Sequence, residues 1–424
     1  MSVEKIDTLV VGAGQAGIAM SEHLSSNNIP HLVLERNRIA ERWRSERWDS
    51  LVTNGPAWHD RFPGLEFSNH GPDEFVPKES VADYFESYAT KINAPIRTGV
   101  EVTHLEKING SRGFRVETST GVIETNNLVT ATGPFQCPNI PHIVPSNQNF
   151  VQMHSSSYRN PENLPEGNVL VVGSGSSGVQ IAEELLQSGK KVYLSVGPHD
   201  RLPRRYRDRD YVWWLGVLGH WDKQTPTKGR EHVTIAVSGV NGGETIDFRR
   251  LAKRGMALVG WTKSYDNGII KFSPDLCKNV SQGDASYISI LDEADKYIER
   301  NGLKLPTEPE ARAIPVEPDC MINPILSLKL SEARITSIIW ATGFSVNYNW
   351  MALDIFDEYG QPFHKRGISA EPGIFFLGLP WLSRRGSSFI WGVWHDAKFI
   401  ADQIVIQHGY QYYDSGINKN RKNS

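Results

Sequence analysis

The chain is poor in cysteine: Cys137, Cys277 and Cys320 are its only three, and they lie far apart. That spacing excludes a zinc site built from paired cysteines and a redox Cys-x-x-Cys, and it fits a reducing compartment. No spacing of other ligand types suits a metal ion. An excess of charge is also missing. With 45 Lys and Arg against 48 Asp and Glu, the net charge is −3, which gives no general electrostatic reason to expect nucleic acid or an acidic membrane surface. No apolar run approaches the length of a bilayer-spanning helix, so membrane insertion is not expected. A strand pattern begins at Ile6 and leaves no room for a leader peptide, so a cytoplasmic protein is expected. The 424 residues, 39% of them hydrophobic, are enough for two or three ordinary soluble domains.

Glycine, by contrast, is concentrated in two places. Gly12-Ala13-Gly14-Gln15-Ala16-Gly17 and Gly173-Ser174-Gly175-Ser176-Ser177-Gly178 have the same form, each between a β-branched strand pattern and a helix pattern. One such turn is weak evidence. Two in strand–turn–helix context imply two dinucleotides with electron transfer between them. In the first, Ile6–Val11 reads as a buried parallel strand, and Ile18, Ala19 and Leu24 as the apolar face of a helix. Gly12 permits the tight turn, Gly14 lets backbone N–H groups approach a pyrophosphate, and Gly17 lets helix and strand pack closely. The next strand ends in Glu35, placed to accept hydrogen bonds from a ribose without a 2′-phosphate. FAD is therefore expected here, with Gln15, Ala16, Arg36 and Val102 among its contacts.

The second copy differs at the decisive position. Its second strand, Lys191–Leu194, ends in Ser195 and Val196, with no acid. Downstream, Arg201, Arg204 and Arg205 stand in a guanidinium-rich stretch able to hold a 2′-phosphate bidentately, where a carboxylate would repel it. NADPH is expected in this site. A solvated surface loop remains the alternative for each arginine.

Between the two turns, a helix pattern through Val81, Phe85 and Tyr88 gives way to a small meander at Val100–Leu105, Phe114–Thr118 and Gly121–Glu124. A strand then ends in Ala131-Thr132-Gly133, and that ending recurs after Ile335 as Ala341-Thr342-Gly343. The chain is expected to leave the second domain there and re-enter the first. The expected fold is α/β: two Rossmann-like dinucleotide-binding domains of the two-domain disulfide-reductase type. Residues 1–165 and 336–424 would form a discontinuous FAD domain, and 166–335 an NADPH domain with an insert at about 206–324. The last FAD-domain pieces would be the strand Gly373–Gly378 and a helix from about Ser388 to Gln407, its N-terminus facing the flavin pyrimidine.

These motifs, together with His154-Ser-Ser-Ser-Tyr158-Arg-Asn-Pro161 before the second turn, resemble the flavin-containing monooxygenases. These group B flavoprotein monooxygenases include plant YUCCA enzymes and bacterial trimethylamine monooxygenases. A closer resemblance is to bacterial CzcO-like proteins. The family signature has Phe and Gly where this chain has Gln148 and Phe150. Baeyer–Villiger relatives have Trp where Tyr158 stands.

The resemblance implies that Trp43 and Trp48 line the FAD and that Asn54 lies over the flavin beside the nicotinamide. There its amide would orient a flavin peroxide without itself titrating. The other reading of Thr53-Asn54-Gly55-Pro56 is a turn with a local hydrogen bond. Trp213, Trp214 and Trp391 could wall an apolar substrate pocket, or pack the core.

The implied activity is hydride transfer from NADPH to flavin, addition of O₂ to give a C4a-hydroperoxide, and oxygenation of an amine nitrogen or a sulfide. The implied partners are a small organic substrate and O₂, with room for a homodimer. Two other classes share both glycine turns: a flavin reductase acting on a quinone or ferredoxin, and a non-enzymatic redox sensor or transport regulator.

Overall fold

Leu9 and Val10 are fully buried in the strand Glu4–Val11, as expected of a strand covered on both faces of a parallel sheet. It pairs in parallel with His31–Glu35 on one side and Gly121–Thr130 on the other. The computed structural model describes residues 3–146, 150–224, 235–411 and 413. Gln148 and part of the expected insert lie outside the described residues.

From one edge, the main path of the first sheet runs His364–Lys365, Ile368–Ser369, Ile374–Phe376, Gly121–Thr130, Glu4–Val11, His31–Glu35 and Ile96–Thr98. The meander is present, with one difference from expectation. Its last strand and the strand leading to Ala131 are one continuous ten-residue strand. The start of that strand pairs antiparallel with Phe114–Thr118, and its end pairs in parallel with Ile374–Phe376. The C-terminal helix Ile390–Gln411 packs on the first glycine helix, Gln15–Ser26. Gly378 makes this approach possible: its φ is +82°, and a Cβ there would lie 3.0 Å from the Ala16 Cβ.

The second sheet is wholly parallel, in the order Ala257–Val259, Val192–Ser195, Asn168–Val172, Ile335–Trp340, Val151–His154. This moves both expected boundaries. Val151–His154 is an edge strand of the second sheet, so the chain enters that domain before residue 166. Ile335–Trp340 lies inside the same sheet, so the return to the first domain follows it. The expected insert is not one unit, because Ala257–Val259 belongs to the sheet. What is added comprises the helices Tyr211–Val217 and Leu276–Asn301 and a small antiparallel sheet of Thr262–Asp266, Ile269–Phe272 and Ser327–Lys329.

Candidate functional site

Both glycine turns are built to one plan. Gly12 N donates to Leu34 O at 2.7 Å, and Gly173 N to Ser195 O at 3.1 Å. Ala131 N donates to Val11 O and Ala341 N to Val172 O, each at 2.8 Å, so the two Ala-Thr-Gly strand ends lie directly under the turns. A Cβ on Gly12 would stand 2.6 Å from Ala131 O, and one on Gly173 2.4 Å from Ala341 O. Gly17 and Gly178 face their own turns still more tightly: a Cβ would come within 1.8 Å of Gly12 O and 1.9 Å of Gly173 O. Around Gly14, in contrast, a Cβ would meet no atom within 4 Å. Gly14 and Gly175 are extended N-caps of their helices, and neither helix has a side-chain cap or an acid in its first turn. Each helix therefore presents the positive end of its dipole at a glycine turn, and the first presents it to open space, the requirement for a pyrophosphate. The residues fit two dinucleotides.

The adenosine ends differ. The Glu35 carboxylate accepts from Ala13 N at 2.9 Å and Asn37 N at 2.8 Å, which fixes it beside the first turn with further lone pairs free for a ribose. Exposed Arg36 lies 3.9 Å from Glu101 on the rim, and Val102 begins the first meander strand. Gln15 ties the turn to the 3-10 turn Arg385–Ser388 just before the C-terminal helix, its Nε2 donating to Ser388 O at 2.9 Å. In the second site Ser195 is 3% exposed, donates to Gly260 O and accepts from the Thr262 hydroxyl. Its hydroxyl is already committed. Ser174 instead links its turn to Gly197.

The expected arginine clamp is corrected for two of its three members. Arg201 is 3% exposed and ion-paired with Asp247 at 2.9 Å and Asp284 at 3.1 Å. Arg204 is 2% exposed and forked onto Asp210, with its guanidinium over Phe75 and Tyr211. Buried charges need such partners, and breaking the pairs to receive a phosphate would strand the aspartates. Arg205 alone is exposed, donating to Gly242 O at 3.0 Å.

Asn54 lies where the two domains meet. Its carboxamide oxygen accepts from Gln180 Nε2 at 2.9 Å, on the second glycine helix Ser176–Gln187. Its backbone oxygen accepts from Arg204 Nη1 at 2.8 Å and from the Tyr211 hydroxyl at 3.4 Å. Arg204 thus holds the Asn54 loop in place. The carboxylate of Asp60 accepts from Gly55 N at 3.0 Å and pairs with His59 at 2.7 Å. Gln180, Asp60 and His59 had no motif to mark them, since their partners are set by the domain packing.

The tryptophans divide. Trp48 is 5% exposed and buried in the second domain's core with Tyr158 and Val179, while Trp43 packs against both cores. Core packing therefore replaces the flavin-lining role expected of Trp48. Trp214 is fully buried among Tyr206, Tyr287 and Leu291, its indole N–H donating to Tyr206 O, and Trp213 packs edge-on against it. Neither walls a pocket with Trp391. The ring 5.5 Å from Trp391 belongs to Trp221, and His59 lies 5.1 Å from Trp391.

His154 ties the segment before the second turn to the second Ala-Thr-Gly: Nε2 is 2.9 Å from Gly343 O, and Nδ1 accepts from Ser156 N. Burial lowers its pKa, which favours the neutral ring. The Tyr158 hydroxyl donates to Glu184 at 2.6 Å. Among the described residues, no group of three or more His, Cys, Asp or Glu could hold a metal ion, and no helix is long and apolar enough to cross a membrane.

Two sheets with parallel strands at their glycine turns, each turn topped by an uncapped helix N-terminus, and Asn54 of the first domain bonded to the second glycine helix, define a two-dinucleotide oxidoreductase. A family model described as pyridine nucleotide-disulphide oxidoreductase matches residues 9–215. The chain is 34% identical over 404 residues to an uncharacterized CzcO-like oxidoreductase of Geobacillus kaustophilus, covering 94% of this chain and 98% of that one. It is 27% identical over 413 residues to the probable indole-3-pyruvate monooxygenase YUCCA4 of Arabidopsis thaliana, covering 94% of this chain and 90% of that one. A solved flavin-containing monooxygenase from Stenotrophomonas maltophilia shares the fold with a TM-score of 0.66, over 96% of this chain and 99% of that one, at 17% identity. The chain belongs to the CzcO-like oxidoreductases. Membership makes it an oxidoreductase, and its two cradles fit FAD and NADPH.

Proposed function

We propose that the protein uses NADPH and O₂ to oxygenate a soft nucleophile, an amine nitrogen or a sulfide sulfur, of a small organic substrate. The observation that carries this reading is the position of Asn54, on a loop of the first domain and hydrogen-bonded to the helix of the second turn. FAD, when bound, supplies a hydride acceptor for NADPH and, once reduced, a partner for O₂. The chain supplies the rest. The N–H groups following Gly12 and Gly173 hold the two pyrophosphates, and Glu35 takes the ribose of FAD. Among the described residues, Arg205, exposed and with no carboxylate within salt-bridge distance, is the remaining candidate of the three arginines for the 2′-phosphate of NADPH.

Asn54 offers one donor and one acceptor that do not titrate, so it can orient the reacting groups at any working pH. Gln180 fixes which end of the amide faces the cofactors. The wall of His59, Trp221 and Trp391 excludes water from the side of the C-terminal helix.

Asn54→Leu tests this role. The variant keeps the volume and loses the hydrogen bonds. NADPH should still bleach its flavin, but loss of one preorganised donor costs about 3–4 kcal/mol, so oxygenated product should fall by about two orders of magnitude or more. The electrons should appear as hydrogen peroxide, measured per NADPH consumed. A variant with wild-type peroxide yield contradicts the role. A wild type that reduces only quinones or ferredoxin, with no oxygenated product from amines or sulfides, contradicts the oxygenase reading.

A further inference from the structure

The registers of the two sheets identify equivalent positions at their adenosine ends. Leu34 accepts from Gly12 N and pairs with Arg97, while Ser195 accepts from Gly173 N and pairs with Val259. Counting onward along each strand, Glu35 corresponds to Val196 and Gly99 to Trp261. Val196 is fully buried and apolar, so it offers a ribose nothing. Trp261, where the first site has a glycine, is 56% exposed.

This indole is exposed yet firmly mounted. Trp261 N donates to the Asp275 carboxylate at 3.0 Å, and Trp261 O accepts from Ser273 N at 2.9 Å. The preceding Gly260 has no room for a side chain, since a Cβ would stand 2.0 Å from Ser273 O. The six-membered part of the ring lies against Gly197, where a Cβ would come 2.7 Å from it. Gly197 is in turn laced to the glycine turn: its N–H donates to Ser174 Oγ at 3.1 Å, and that hydroxyl donates back to Gly197 O at 3.2 Å. The ring is thus coupled to the pyrophosphate-binding turn through a short, buried linkage, at the carboxyl ends of two adjacent parallel strands. Nucleotides lie along this edge of a doubly wound sheet. A π-face held there stacks on a base whatever the charge on the ribose.

We propose that Trp261 is the adenine platform of the second nucleotide site, its outer face stacking on the base of NADPH. The proposal rests on the reading of the second turn as a nucleotide site. Stacking replaces the carboxylate–ribose anchor that Glu35 supplies in the first site. It anchors the adenosine half independently of the 2′-phosphate, leaving phosphate discrimination to other groups.

The test uses the flavin-loaded protein and its Trp261→Ala and Trp261→Phe variants, with 2′,5′-ADP and NADP⁺ titrated by calorimetry. Both variants should keep the flavin spectrum, because the ring is half exposed and outside the FAD domain. Trp261→Ala should weaken both ligands by the same factor, about tenfold or more. Trp261→Phe should recover most of that loss. In the wild type, 2′,5′-ADP should quench a tryptophan emission that Trp261→Phe lacks. Unchanged affinities in Trp261→Ala, or a loss that Phe does not restore, overturn the platform while leaving the site in place. A wild type that binds neither ligand overturns the underlying assignment of the second turn, and the platform with it.

Discussion

At the first turn a carboxylate stands at the strand end: Glu35 is clamped by Ala13 N and Asn37 N, with lone pairs left over. At the second turn the corresponding Val196 is buried and apolar, and the hydroxyl of Ser174 ties the turn to Gly197 instead. The backbone hydrogen bonds and glycine contacts beneath the turns are otherwise matched residue for residue. On the proposed reading, shared positions set how a pyrophosphate would be held, and the few that differ set which nucleotide would be held. Arg204 adds a third lesson. It lies among residues expected to read the coenzyme, yet it works as a strut between the second domain and the Asn54 loop.

The sharpest way to break the parallel is at Gly17 and Gly178, where a Cβ would overlap a backbone oxygen of the same turn. Alanine at either position should cost about 3 kcal/mol or more. Each loss should stay within its own half. Gly17→Ala should emerge without flavin, whereas Gly178→Ala should retain flavin that NADPH no longer bleaches. Flavin absorbance and thermal unfolding read both outcomes, and loss of flavin in both variants would mean that the domains do not fold as separate units.

The arginines separate by a similar logic. Arg204→Met leaves the largely covered Asp210 carboxylate without its cation, at a cost of up to about 3 kcal/mol, and should lower the unfolding midpoint in urea. Arg205→Met should leave that midpoint unchanged and narrow the preference for NADPH over NADH by about 1.5–3 kcal/mol, the contribution of a charge-assisted hydrogen bond. Equal weakening of both coenzymes by Arg205→Met would remove it from the 2′-phosphate.

Much of this was legible in the sequence because it is local. Glycines at fixed offsets, β-branched runs and the presence or absence of an acid at a strand end are short-range signals. The two-sheet architecture and both Ala-Thr-Gly supports follow from them. What was not legible depends on partners distant in sequence. Arg201 looks available until Asp247 and Asp284 fold against it. Trp214 admits both a pocket-wall and a core reading until the helix Leu276–Asn301 covers it. Val151–His154 is too short and too mixed to stand out, and it becomes a strand only by adding to the edge beside Ile335–Trp340. Gln180, Asp60 and Trp261 carry no motif, although Gly260-Trp261-Thr262 directly after a strand is a signal that a domain-against-domain reading can recover.

The central claim is that one cradle holds FAD, the other holds NADPH, and the two communicate. Anaerobic titration of the purified protein with NADPH tests this most directly. The expected result is one FAD per chain, released on denaturation, whose visible absorbance bleaches fully with about one equivalent of NADPH. Protein that carries no FAD, or FAD that NADPH leaves oxidised, would contradict the account.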